Sequence, residues 1–79
     1  MITNMTRGSI EVTVGGRTAT VPGEAYPIES GPPTFEAYGK LLQAWDDGTE
    51  MTEAEKRAVL DDLRADARAR GWEVAVLDG

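Results

Sequence analysis

The sequence predicts a small two-layer α+β domain of order β-β-α-α-β, in which a three-stranded sheet carries two helices on one face. Three observations lead there. Apolar residues alternate on both sides of Gly15-Gly16, as a hairpin requires. They then recur at spacings of three and four in two later segments, and a short apolar run follows Gly71. With 79 residues, 41% of them apolar, the chain has material for one core, so residues 1–79 read as a single domain.

The hairpin spans residues 9–21. Ile10, Val12 and Val14 alternate with polar residues, Gly15-Gly16 supplies two positions that tolerate positive φ, and the pattern resumes from Arg17 to Val21. A two-residue turn then sets Val14 opposite Arg17, Val12 opposite Ala19 and Ile10 opposite Val21. Glu11, Thr13, Thr18 and Thr20 are left on the other face. Residues 22–33 read as a stiff loop, because four prolines and two glycines exclude a helix and Glu24, Tyr26, Ile28 and Glu29 stand between them.

A helix is predicted over residues 34–47. Thr34 is available as its N-cap, and Phe35, Tyr38, Leu41, Leu42 and Trp45 would form one wide apolar face. Gly39 inside it marks a close backbone approach to the sheet or a kink. The second helix, over residues 52–70, has the clearest boundaries. Thr52-Glu53-Ala54-Glu55 is a capping-box sequence, Gly71 suits a left-handed C-cap, and Val59, Leu60, Leu63 and Ala67 form a buried stripe. Residues 72–77 complete the sheet, with Trp72, Val74 and Val76 on one face and Trp72 placed to pack back on Ala67.

Composition narrows the function. The chain has no His and no Cys, which removes the commonest acid-base group near neutral pH, the usual metal imidazole and the most easily activated nucleophile. Ser9 and Ser30 have no His to activate them, and no calcium-loop spacing is present, so no catalytic residue, metal or cofactor is expected. Fourteen carboxylates against eight Lys and Arg give a net charge of -6. That field repels nucleic acid and anionic lipid and favours a basic protein partner. The interleaved Asp61, Asp62 and Asp66 cancel the field of Arg57, Arg64, Arg68 and Arg70. Met1 to Gly8 contains no signal-peptide core and no later run approaches the roughly 18 apolar residues of a membrane span, so a cytoplasmic protein is expected.

Acids gather between the two predicted helices. Glu53 and Glu55 fall in a first helical turn, where carboxylates are favoured. Asp46 and Asp47 would end a helix, where acids oppose the dipole and repel each other. With no structural use for that pair, the partner-binding site is placed on Asp46, Asp47 and Glu50, joined by Glu24 and Tyr26 of the Pro-rich loop.

The segment RGSIEVTVGGRTATVPGEA, an aromatic stretch reaching Trp45, and MTEAEKRAVLDDLRADARARGWEVAVLDG together resemble the immunity protein 74 family of bacterial polymorphic toxin systems. The likeness runs from Arg7 to Asp78. It is carried by Pro22-Gly23-Glu24, by Thr52-Glu53-x-Glu55-Lys56 and by the Arg70-Gly71 exit into the last strand. The resemblance implies a protein that binds and neutralises a cognate toxin in the producing cell. The competing reading is a small regulatory or adaptor domain that binds a basic protein partner.

Overall fold

The computed structural model describes residues 1–26 and 34–77. It contains five strands and one α-helix: β1 (Ile2–Met5), β2 (Ser9–Val14), β3 (Arg17–Tyr26), β4 (Thr34–Tyr38), α1 (Glu53–Ala69) and β5 (Glu73–Leu77). The strands lie in sequence order in one sheet. All neighbours are antiparallel except β4 and β5, which are parallel. The expected order β-β-α-α-β is therefore corrected to β-β-β-β-α-β, and the three-stranded sheet with two helices becomes a five-stranded mixed sheet with one helix.

The correction originates at Phe35. Residues 34–47 satisfy a helical spacing, but Phe35 and Ala37 also alternate with Thr34, Glu36 and Tyr38, and the strand period prevails over Thr34–Tyr38. Phe35 and Ala37 are buried at 1% and 0% exposure, while Tyr38 points to the opposite face and Leu41 is 53% exposed. The five residues of the supposed helical face are thus divided between two sides of a sheet. After a single 3-10 turn at Gly39–Leu41, Leu42 and Trp45 still reach the core, on an extended segment.

That segment turns sharply. Trp45 N–H donates to the Thr49 carbonyl at 2.8 Å, Gly48 N–H to Trp45 at 2.9 Å and Met51 N–H to Gln43 at 2.9 Å. Ala44 bridges Glu50, so a tight hairpin stands where a helix C-terminus was expected. Gly48, at φ 91°, supplies the left-handed residue such a turn needs.

The expected loop also gives ground. β3 continues through Pro22 to Tyr26, pairing first with β2 as far as Ser9–Pro22 and then with β4 from Gly23–Ala37 to Tyr26–Thr34. Pro22 falls where β3 passes from one neighbour to the next, the place where a strand tolerates a missing N–H. Gly23 has no room for a side chain: a Cβ there would lie 2.1 Å from the Glu36 carbonyl and 2.4 Å from the Phe35 ring. Gly23 is thus a point of close backbone approach between β3 and β4. Residues 27–33, the rest of that loop, and 78–79 lie outside the described residues.

Where the signals were local, structure follows sequence. The Gly15-Gly16 turn has φ 59° and 80°, and the pairs Val14–Arg17, Val12–Ala19 and Ile10–Val21 are those a two-residue turn dictates. Thr52 and Glu55 form the reciprocal capping box at the start of α1. At its end Trp72 N–H bonds the Ala67 carbonyl at 2.8 Å and Gly71 N–H bonds Arg68 at 3.1 Å, with Gly71 at φ 76°. Those two bonds are the Schellman arrangement. Val59, Leu60, Leu63 and Ala67 pack with Ile10, Val12, Ala19, Val21, Phe35 and Ala37 in one core. One helix covers one face of the sheet. The other face is left without a helix among the described residues.

Candidate partner-binding face

Strand alternation decides which side chains reach the uncovered face. From β2 these are Glu11 and Thr13, and from β3 Thr18, Thr20, Glu24 and Tyr26. β4 adds Glu36 and Tyr38, and β5 adds Glu73, Ala75 and Leu77. None of the outward positions of β2 to β5 holds Lys or Arg. The cations lie elsewhere: Lys56, Arg57, Arg64 and Arg68 on α1, Arg70 at its cap, Arg17 on the core side of the hairpin end, Arg7 between β1 and β2, and Lys40 in the 3-10 turn. Residues 53–70 balance, with Glu53, Glu55, Asp61, Asp62 and Asp66 set against Lys56, Arg57, Arg64, Arg68 and Arg70. The net charge of -6 therefore falls on the rest of the chain, where the uncovered face carries acids and no cation on β2 to β5.

Polar contacts on this face hold carboxylates in place. Thr3 donates to Glu11 at 2.8 Å, and Thr20 donates to both Asp46 oxygens at 2.9 and 3.1 Å. Glu24 and Glu36 are direct cross-strand partners, a like-charge pairing that disfavours the sheet locally. Tyr26 donates its hydroxyl to Glu24 at 3.0 Å, and Tyr38 reaches the same oxygen at 3.5 Å. The Glu24 bond, followed by desolvation and the charges of Glu24 and Glu36, raises the Tyr26 phenol well above its ordinary value. Desolvation first, and then the Glu24 charge, raises Tyr38. Both phenols stay protonated and act as donors. Beyond Tyr38, Leu77 and Leu41 stand 41% and 53% exposed and, with Lys40, border a shallow depression of about 490 Å³.

The sequence-predicted residues separate into two groups. Glu24 and Tyr26 belong to β3 and not to a loop, and Asp46 is bound to Thr20 of the same strand. Thr20 and Glu24 are four residues apart, about 13 Å along a strand. These three share the uncovered face. Asp47 has a structural occupation instead: it accepts the Thr49 N–H at 2.9 Å and lies 3.9 Å from Arg17. The Thr49 N–H lowers its pKa, with Arg17 helping and desolvation opposing. The premise that stability has no use for Asp46 and Asp47 therefore fails, because neither ends a helix and each takes a hydrogen bond. Glu50 is exposed on the returning arm of that hairpin.

Glu36, Tyr38 and Leu77 were not singled out from sequence. The signal for the first two was the Phe35-Glu36-Ala37-Tyr38 alternation, hidden by the helical reading of the same residues. Among the described residues no group of three or more His, Cys, Asp or Glu is arranged to hold a metal ion, and no helix is long and apolar enough to cross a membrane.

Residues 2–77 match the family model described as Immunity protein 74. Comparison with curated proteins and with solved structures gives no match.

Proposed function

This chain belongs to the immunity protein 74 family, and from that premise we propose that it neutralises a cognate toxin by direct contact through its uncovered acidic sheet face. It acts by binding and not by catalysis, in the cytoplasm of the cell that produces the toxin within a polymorphic toxin system. The observation that supports this reading is the division of charge: Glu11, Glu24, Glu36, Glu73 and Asp46 lie on or against a face whose β2 to β5 positions hold no cation. Such a face attracts a basic surface from a distance and repels nucleic acid, so the partner it suits is a toxin with Lys and Arg around the contact.

Glu24, Tyr26 and Asp46 are the contact residues we propose from the strands and the hairpin, with Glu36 and Tyr38 beside them. Glu50 and Asp47, both exposed, extend the acidic rim. Tyrosine adds area at low entropic cost, and a carboxylate desolvated against Arg contributes far more than one left at the rim.

The test uses the product of the adjacent gene as the binding partner. Tight binding is expected, with an association rate that falls as salt rises while dissociation changes much less. The Glu24→Gln, Asp46→Asn double variant should weaken it by a few kcal/mol, on the order of 2 to 5 for desolvated charge pairs. Absence of binding would remove the reading. Salt-independent association would remove the electrostatic part of it.

A further inference from the structure

The two edges of this sheet are finished differently. At the β1 edge, α1 supplies side chains to the strand backbone: Ile2 N–H donates to Asp66 at 2.6 Å and Arg70 donates to the Ile2 carbonyl at 2.8 Å. The β1–β2 register also shifts between Ile2 and Asn4. A strand so capped and bulged is a poor template for another chain. At the other edge β5 pairs with β4 alone among the described residues, in unbroken register from Thr34–Glu73 to Tyr38–Leu77. Its sequence, Glu-Val-Ala-Val-Leu, has no Pro, Gly, Lys or Arg to discourage pairing. The core is unfinished there as well. Trp72, Val74 and Val76 are only partly buried, and an open groove of about 460 Å³ lies against this edge, bordered by Ala67, Arg68, Trp72, Glu73, Val74 and Ala75.

We propose that β5 pairs antiparallel with β5 of a second copy of this chain, about a two-fold axis at Ala75, to give one continuous ten-stranded sheet. The strand's own symmetry favours this occupant. Val74-Ala75-Val76 reads the same in both directions, so the axis sets Ala75 opposite its equivalent and Val74 opposite Val76 of the second copy. Half-buried valines then meet half-buried valines on the helix side. On the outer side Glu73 meets Leu77 of the second copy, so no like charges are directly opposed along the new ladder. The axis stands perpendicular to the sheet, so both acidic faces point the same way and both stay free. Dimerisation is separate from toxin binding, and the salt dependences have opposite signs: two copies of charge -6 associate more tightly as salt rises, whereas a basic partner associates more slowly.

The experiment needs only this protein. Sedimentation equilibrium from micromolar to millimolar concentration should show the mass rising from that of the 8.5 kDa chain to twice that value, at lower concentration in high salt. The Ala75→Lys variant, whose new charge would sit beside Glu36 in its own sheet and opposite another Lys at the axis, should lose the doubled mass and keep its helical circular dichroism. An independent arm uses the absence of native cysteine. Cα atoms opposite each other in an antiparallel pair are about 4.5–5.5 Å apart, within disulfide range, so Ala75→Cys should cross-link on mild oxidation much faster than Ala58→Cys on the exposed side of α1. A parent protein that stays monomeric at every concentration and salt overturns the proposal. So does equal cross-linking by the two cysteine variants.

Discussion

Arg17 lays its guanidinium over the ring of Trp45, 4.4 Å from the centroid, and from there bonds Glu55 at 3.2 Å. One side chain thus joins the start of β3, the hairpin at residues 43–51 and the first turn of α1. Trp45 is 6% exposed, so the stack is partly shielded from water. Replacing Arg17 with Ala should lower stability by about 1–2 kcal/mol, read as a lower urea midpoint with unchanged slope. Lys at this position keeps the charge and loses the flat stacking surface, so its midpoint should fall between the two.

Gly23→Ala should be destabilising although it adds one methyl group. The new Cβ would meet the Glu36 carbonyl at 2.1 Å, a backbone atom that cannot move without separating β3 from β4. A cost of about 1–3 kcal/mol is expected from overpacking of this kind, and thermal melts of parent and variant measure it. A variant as stable as the parent would show that β3 and β4 lie farther apart.

Leu63 is fully buried at the centre of the α1 stripe. Leu63→Ala should cost roughly 2–5 kcal/mol, a large share of the stability of a chain this small. Ala65→Ser, one turn face away and exposed, is the control expected to stay near the parent in the same urea titration.

Acid should unfold the protein through carboxylates that accept backbone N–H groups. The Ile2 N–H holds Asp66 below its ordinary value of 3.8, with Arg70 helping and desolvation opposing. Thr49 N–H acts on Asp47 and Thr52 N–H on Glu55 in the same direction. A group whose folded pKa is depressed contributes stability that is complete above its unfolded pKa and disappears as pH falls through the folded one. Urea midpoints should therefore hold steady from neutral pH down to the ordinary carboxylate range and then drop. Asp66→Asn should start lower at neutral pH and show a shallower acid slope, since that carboxylate no longer titrates.

Hairpin and helix were legible in the sequence because their determinants are neighbours in the chain. Gly15-Gly16 sets φ at two adjacent residues, and Thr52 bonds a residue three positions away, so no distant contact is needed to specify either. β1 left no such mark: its four residues include Ile2 and Met5 without alternation, and its pairing depends on β2 and on Asp66 and Arg70 of a helix more than sixty residues later. Of the proposed contact residues, Glu24, Tyr26 and Asp46 were singled out from the sequence alone. Their common face was not, because it depends on β3 continuing past Pro22 and on Thr20 binding Asp46.

By itself the sequence determined the β2–β3 register, both ends of α1, its buried stripe, and an acidic balance suited to a basic partner. Only tertiary structure decided the fate of residues 34–47. Phe35, Leu42 and Trp45 meet the core equally well from a helix or from a strand and a turn, so local periodicity is degenerate there. The choice fell to long-range pairing. β3 offered an unpaired edge at Gly23–Tyr26 and β5 offered another, and a strand placed between them satisfies backbone groups on both sides. A helix in that position would have left both edges open, and with them no continuous face on which Glu24, Glu36, Tyr26 and Tyr38 could meet.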